Sequence, residues 1–488
     1  MRASETIVDT PFGKVRGEAV GGTIHFRRIP YADPPTAGGR FAKPSAPPHW
    51  AGGYDATRQG PIPPQTRSRL ADVMGDYDAP QDENCLHVDI WTPRDAKGAP
   101  VLVFIHGGGF LTGGGSLPCY DGGALSARTG LVVVNISYRL GALGFLYVPG
   151  VSTPNLAIHD QIAALRWIRQ AIASFGGDPA RVTAAGQSGG AYTIAVMGGL
   201  ESGPELFDRA ILMSTPLGVR PQTFEDAERT VADVLKALDM SPSQTDSLRD
   251  LPVDRFLHAQ EALLRRPPAR PGEITPPFMP LVDNDLIKAD PRNAPNSSPL
   301  AWCDAIVGVT REEFAAFSFN NPMLQNLPEP AIQKIFEARY GEQANARLKA
   351  AKAMRVPNTP LELLGDMMTA DSINGPSLAL AASHHGQGHQ AYFYQFDWQS
   401  PEPGLHACHC IDLPFLFGNL ETWSVAPMLA GSNKAEITDL SNLFQDAIAA
   451  FVASGNPNGS GLPKWPPYAK DRAIMHFDRR VLAMSEAI

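Results

Sequence analysis

The residues best placed to do chemistry are a serine framed by glycines, Gly186-Gln187-Ser188-Gly189-Gly190, and two later residues, Glu313 and His409. A Gly-x-Ser-x-Gly run between an apolar strand-like stretch and a helix-like stretch fits a nucleophile elbow, in which small neighbours let a tight turn project Oγ into a pocket. The five residues alone also describe an ordinary glycine turn, so their partners decide the reading. Nucleophilic acyl transfer needs an activated hydroxyl, a base, an acid to orient that base, and donors for the oxyanion. Glu313 and His409 follow Ser188 in the order nucleophile, acid, histidine, each just past an apolar strand or in the loop after one.

Donors are available as well. His106-Gly107-Gly108-Gly109-Phe110 follows an apolar run, and a second glycine run stands at Gly113-Gly114-Gly115. Residues without side chains just past a strand leave backbone N–H groups free to hold an anion or a developing oxyanion. A phosphate loop is disfavoured, since neither a Gly-Lys-Ser/Thr ending nor a Gly-x-Gly-x-x-Gly spacing is present. His406, Cys408, His409 and Cys410 carry metal-ligand types, but their spacing is not that of a zinc finger, and adjacent residues of an extended segment point apart. His384, His385 and His389 read as a polar loop around Gly386 and Gly388.

These residues require a scaffold, and the apolar pattern supplies one. Val101–Ile105 and Leu131–Ile136 are continuous apolar runs, as expected of strands covered on both faces. Ile158, Ile162, Leu165, Ile168, Ile172 and Phe175 fall on one helical face, with Asn155 expected to cap the helix and Gly176-Gly177 to end it. Val182–Ala185, Arg209–Met213, Ala305–Val309 and Ala391–Phe396 read as further strands. Thr223–Asp226 reads as a capping box opening a helix to about Leu238, and Ile437 to Phe451 as a long final helix before Gly455. Strand, helix, strand and helix in succession predict an α/β class with a large, mostly parallel sheet flanked by helices. Residues 12–60 predict small hairpins and loops. The proline-broken stretch at about 220–300 and the short helices at about 320–385 are expected to be insertions covering the sheet. Pro61–Glu83, aperiodic and charged, reads first as an ordinary solvated loop and second as a loop near a site entrance.

Composition narrows the partners. A chain of 488 residues, 43% hydrophobic and 19% charged, has the material for a large core. A net charge of −9 argues against a general nucleic-acid or anionic-membrane surface and favours a small substrate. No window approaches a membrane-spanning apolar run, and the first residues lack the layout of a secretory signal. The five cysteines are odd in number and scattered, which suits reduced thiols. The expected location is the cytoplasm.

Several longer stretches, in order, resemble the type B carboxylesterases, the group of para-nitrobenzyl esterases, cholinesterases and animal carboxylesterases. They are Ile29–Ala32, Glu83–Leu86, His106–Phe110, Tyr138–Gly141 with Gly144–Leu146, and Asp160-Gln161 with Ala164-Leu165 and Trp167. Phe175–Pro179, the serine turn, Phe415–Asn419 and Gly455–Asn458 complete the series. The resemblance implies one α/β-hydrolase domain over residues 1–488, no cofactor and no metal. It puts the nucleophile at Ser188, the base at His409 with His406 as near rival, and the acid at Glu313 with Glu312 as alternative. The implied oxyanion donors are the backbones of Gly108, Gly109 and Gly189. The implied activity is hydrolysis of carboxylic esters through an acyl-serine, with an amidase or carbamate hydrolase using the same triad as the alternative, and a binding or adhesion relative after that. Three departures stand out. Pro61–Glu83 has no tryptophan, so the choline platform of cholinesterases is missing. Phe314 replaces the glycine usual after the acid. Gly189 replaces the usual alanine, which predicts a looser turn or a slightly wider pocket.

Overall fold

The computed structural model describes residues 5–35, 39–266, 275–293, 298–384, 388–459 and 461–485. The described residues form thirteen strands, all in one sheet: β1 (Glu5–Thr10), β2 (Gly13–Val20), β3 (Thr23–Pro30), β4 (Trp50–Asp55), β5 (His87–Pro93), β6 (Ala99–Ile105), β7 (Val132–Ile136), β8 (Gly177–Gln187), β9 (Arg209–Met213), β10 (Asp304–Thr310), β11 (Ala391–Phe396), β12 (Ala473–Phe477) and β13 (Leu482–Ser485). Their order is β1-β2-β3-β5-β7-β6-β8-β9-β10-β11-β12-β13, with β4 beside β2. From β7 to β12 neighbouring strands run parallel, and antiparallel pairs flank them. The apolar runs read as strands are strands, and the N-terminal stretch forms the expected hairpin, β2 with β3.

The alternation of side chains along β6 explains why this segment is apolar at every position. Val101, Val103 and Ile105 face one core with Leu156, Ile158, Leu165 and Ile168 of the helix Leu156–Ala171. Leu102 and Phe104 face the opposite core with Ile437, Leu440, Phe444 and Ile448 of the helix Lys434–Ser454. A strand with a helix layer on each side has no polar face to show. The long final helix ends at Gly455, whose φ of +81° suits glycine.

Asn155 departs from expectation. It stands at the helix start, but at φ +58°, and its side chain caps nothing. Its amide instead donates to the Leu281 carbonyl and Asp283 while its Oδ1 accepts from the Leu281 N–H, tying residues 281–283 to the helix start. The Thr223–Asp226 capping box forms as read, opening the helix Phe224–Ala237.

Helices Phe224–Ala237 and Val253–Leu264 lie in the proline-broken stretch at about 220–300; Glu329–Tyr340, Ala344–Met354 and Pro360–Thr369 lie in the stretch of short helices at about 320–385. The second group has a small core of its own, built on Ile332, Phe336, Leu348, Leu363, Leu364 and Met367, and Phe314 is buried within it. The residue that replaces the expected glycine is therefore an apolar anchor joining these helices to the loop after β10. The Phe314 N–H also donates to Thr369 Oγ1 at 3.1 Å. Removing this ring leaves a cavity in the small core, so Phe314→Ala is expected to cost about 3 to 5 kcal/mol. Denaturant unfolding of the purified variant measures it, and a loss below about 1 kcal/mol would contradict the anchoring role.

Candidate active site

β8 runs straight into the helix Gly189–Gly198, and the corner between them is Ser188, at φ +54° and ψ −120°. A serine in this region is strained and persists only where its surroundings fix it. They do so closely. The Ser188 N–H donates to the Met213 carbonyl at 2.8 Å and its carbonyl accepts from the Tyr192 N–H. At Gly190 a Cβ would lie 2.0 Å from the Ile105 carbonyl oxygen, so the start of the helix can approach β6 only without a side chain.

β10 delivers the acid. Glu313, 1% exposed, accepts the Thr310 N–H at Oε1 (2.7 Å) and meets His409 Nδ1 at Oε2 (2.5 Å). Glu312 faces elsewhere, accepting from Gln399, Arg355 and the Ala407 N–H. His406 contacts Glu362 at 3.3 Å and not Glu313. Of the two acids and two histidines that the sequence left in competition, Glu313 and His409 are the pair brought together. His409 and Ser188 line one cavity of about 620 Å³, together with Gly108, Gly109 and Gly189.

Burial works against charge on the His409 ring, but Cys410 and the Glu313 carboxylate outweigh it, and the pKa stands well above the ordinary histidine value. The Cys410 thiol has its own pKa raised, chiefly by burial, so it is neutral near pH 7. The carboxylate is then the charge that favours the imidazolium. Beside the pair, burial lifts the Asp412 carboxyl to about 7, and the Tyr394 hydroxyl donates to it at 2.7 Å.

The glycine loop after β6 is held from behind. The Tyr138 hydroxyl donates to the His106 carbonyl at 2.7 Å, and the His106 ring stacks on Tyr138 with centroids 4.4 Å apart. Gly108 has φ +105° and a Cβ there would meet the Thr112 carbonyl oxygen at 2.0 Å, so this turn requires glycine. The N–H groups of Gly108, Gly109 and Gly189 have no protein acceptor among the described residues. At Gly189 the expected extra room is already filled: a Cβ would sit 3.2 Å from the Phe110 ring, so alanine would press on Phe110.

Two residues of the cavity escaped the sequence reading. Gln187, 1% exposed, places its Nε2 3.0 Å from His409 Nε2. Its only signal was its place before the serine. Arg69 lies in Pro61–Glu83, which is a cavity wall rather than the ordinary solvated loop favoured above, contributing Ile62, Gln65, Arg69, Tyr77 and Gln81 to the lining. One arginine among several charges in an aperiodic segment gives no pattern to find. Both expected insertions also reach the cavity, at Leu264 and Met279 from the first and Ile373 from the second.

The remaining candidates are apart from this centre. Cys408 pairs through its backbone with Glu312, and His384 Nε2 contacts the Cys303 carbonyl at 2.8 Å. His389 lies 3.6 Å from Asp304, and His385 lies outside the described residues. Among the described residues no cluster of three or more His, Cys, Asp or Glu side chains is arranged to hold a metal ion, and no helix is long and apolar enough to cross a membrane.

The chain matches the Carboxylesterase family over residues 4–487. It is 34% identical over 478 residues to the phenmedipham hydrolase of Pseudarthrobacter oxydans, covering 96% of this chain and 94% of that protein. It is also 34% identical over 477 residues to the para-nitrobenzyl esterase of Bacillus subtilis (strain 168), covering 95% and 93%. Among solved structures, a carboxylesterase of Geobacillus stearothermophilus crystallised at pH 6.2 superposes with a TM-score of 0.86 at 32% identity, over 99% of this chain and 98% of that one. The α/β-hydrolase sheet, the serine corner and these likenesses over nearly the whole length agree: the chain belongs to the carboxylesterase family, whose members hydrolyse esters through a serine.

Proposed function

We propose that ester hydrolysis runs through Ser188, His409 and Glu313, with the N–H groups of Gly108, Gly109 and Gly189 receiving the oxyanion. The observation that carries this reading is the 2.5 Å contact between Glu313 and His409 Nδ1 at the wall of the cavity that Ser188 also lines. With Nδ1–H donated to the carboxylate, Nε2 keeps its lone pair and is the basic nitrogen. The Gln187 amide nitrogen at 3.0 Å supports the same tautomer, because it can donate to that lone pair. In the first step Ser188 Oγ attacks the ester carbonyl and its proton passes to His409 Nε2. The carbonyl oxygen, now negative, is met by the three N–H groups. Collapse of the tetrahedral intermediate breaks the bond to the leaving alcohol, which takes the proton from Nε2. His409 then removes a proton from water as its oxygen attacks the acyl carbonyl; collapse breaks the bond to Ser188 Oγ, which takes the proton back from Nε2, and the carboxylic acid leaves.

A single domain over residues 1–488 is supported by the one sheet that holds the thirteen strands of the described residues. A reducing, cytoplasmic location is supported by the five cysteines, all free and buried. The likeness to a phenmedipham hydrolase favours one second reading, a carbamate hydrolase using the same triad. Matched ester and carbamate substrates, compared by kcat/KM, separate the two.

Ser188→Ala removes the covalent route and is expected to lower kcat/KM for p-nitrophenyl acetate about a millionfold and to abolish fluorophosphonate labelling. Wild-type turnover by the variant would contradict the mechanism. The pH profile follows from the sign of the His409 shift. Only neutral His409 accepts the serine proton, and its pKa is raised, so activity is expected to fall as pH drops, with a midpoint above the ordinary histidine value of about 6.5. Glu313→Gln leaves burial unopposed by the carboxylate. Its profile should shift to lower pH while kcat falls about 10⁴-fold. An unshifted profile in this variant would refute Glu313 as the partner.

A further inference from the structure

Among the described residues, Arg69 is the cavity-lining cation without an ion-pair partner. Arg67, two residues earlier, is bound by Asp72 at 2.8 Å and Asp76 at 2.9 Å. Arg69 has no ion pair or hydrogen bond among the described residues. Its side chain is exposed, and the residue lines the cavity. The protein around that space still excludes enough water to lower its pKa from the ordinary arginine value, and an arginine remains cationic at any working pH.

Its position is fixed from both ends of the loop. Gln65 forms a reciprocal pair with Gly113 of the glycine loop, its Nε2 donating to the Gly113 carbonyl and its Oε1 accepting the Gly113 N–H, each at 2.7 Å. Residues 71–74 form a short helical turn directly after Arg69. The guanidinium lies beside the oxyanion loop, with Nη2 3.1 Å from where a Cβ on Gly109 would stand. Because Gly109 has no side chain, the guanidinium can approach the backbone of that loop this closely.

We propose that the enzyme takes esters that carry an ionised carboxylate, held by the Arg69 guanidinium beside the oxyanion loop while Ser188 attacks the ester carbonyl. This deepens the serine-esterase reading and rests on it. A partly desolvated cation without a partner is costly, and a substrate carboxylate that offers two oxygens to the planar guanidinium relieves that cost with two parallel hydrogen bonds. The same carboxylate in a pocket without a cation would be rejected. The overall charge of −9 and the Asp76 and Asp78 carboxylates of the same lining repel anions, so the preference depends on direct contact with the Arg69 guanidinium.

Two matched pairs place the carboxylate on either side of the scissile bond. On the acyl side, p-nitrophenyl hydrogen adipate is compared with p-nitrophenyl 6-methylheptanoate; on the leaving-group side, 5-acetoxy-2-nitrobenzoate with 5-acetoxy-2-nitrobenzamide. In at least one pair the wild-type enzyme is expected to hydrolyse the charged member with a kcat/KM no lower than the neutral one. In that pair Arg69→Gln should lower the charged-to-neutral ratio by about tenfold or more, mainly through KM, and Arg69→Lys should lower it less than Arg69→Gln does. The pair that responds identifies the side of the bond. Rejection of both charged members by the wild-type enzyme overturns the proposal without reference to any variant. So does a ratio that moves less than fivefold in Arg69→Gln, including the case in which both members slow equally because Arg69 serves the oxyanion. Failure of the esterase reading itself would appear separately, as loss of fluorophosphonate labelling and of neutral-ester turnover in the wild-type enzyme.

Discussion

An imidazole and a carboxylate, 1% exposed each, meet at 2.5 Å at the wall of the cavity. Burial drives a carboxyl to give up its charge, as the raised pKa of Asp412 shows, so an ionised acid at this depth needs the imidazole and the Thr310 N–H beside it. The surrounding structure follows from keeping the two in register. β10 ends so that the Thr310 N–H holds one oxygen of Glu313, which leaves the other for His409. Tyr394 of β11 binds Asp412 three residues beyond His409, and its ring lies over Gly308 of β10, where a Cβ would be 1.9 Å away. The histidine loop and the strand that delivers the acid are thus locked through a tyrosine that only a glycine can accommodate.

Around this pair, close packing does the work of alignment. The serine corner depends on Gly190 lying against β6, and the facing loop depends on Gly108 lying against Thr112. These contacts leave N–H groups with no acceptor among the described residues, and a hydroxyl, at the same cavity, which is what preorganised stabilisation of a developing oxyanion needs. Phe314 extends the dependence outward, since the residue next to the acid is buried in the core of the helices formed by residues 329–369. The loop from Pro61 to Glu83 closes the other side, clamped to the glycine loop through Gln65 and Gly113.

Local chemistry decides how much of this was visible in the sequence. The parallel strands were legible because a strand between two helix layers must be apolar at every position, and Val101–Ile105 is. Ser188 and the glycines were legible because backbone geometry admits few residue types there. Choosing Glu313 over Glu312, and His409 over His406, was left open by residue type alone, since neighbouring residues of the same kind differ only in where the backbone points them. Asn155 shows the same limit: its type predicted a cap, but its amide is used for a contact with Leu281 some 126 residues away. Gln187 and Arg69 gain their meaning only from what lies across the cavity. The looser turn expected at Gly189 did not account for Phe110, whose ring fills the space.

The central claim is that Glu313 fixes His409 with its proton on Nδ1 and its lone pair on Nε2. Nitrogen NMR of enzyme labelled at histidine tests it directly, with His409 assigned by its loss in His409→Gln. Above the His409 pKa the account predicts a protonated Nδ1 and a bare, basic Nε2. A resonance pattern with the proton on Nε2 and a bare Nδ1 would contradict it.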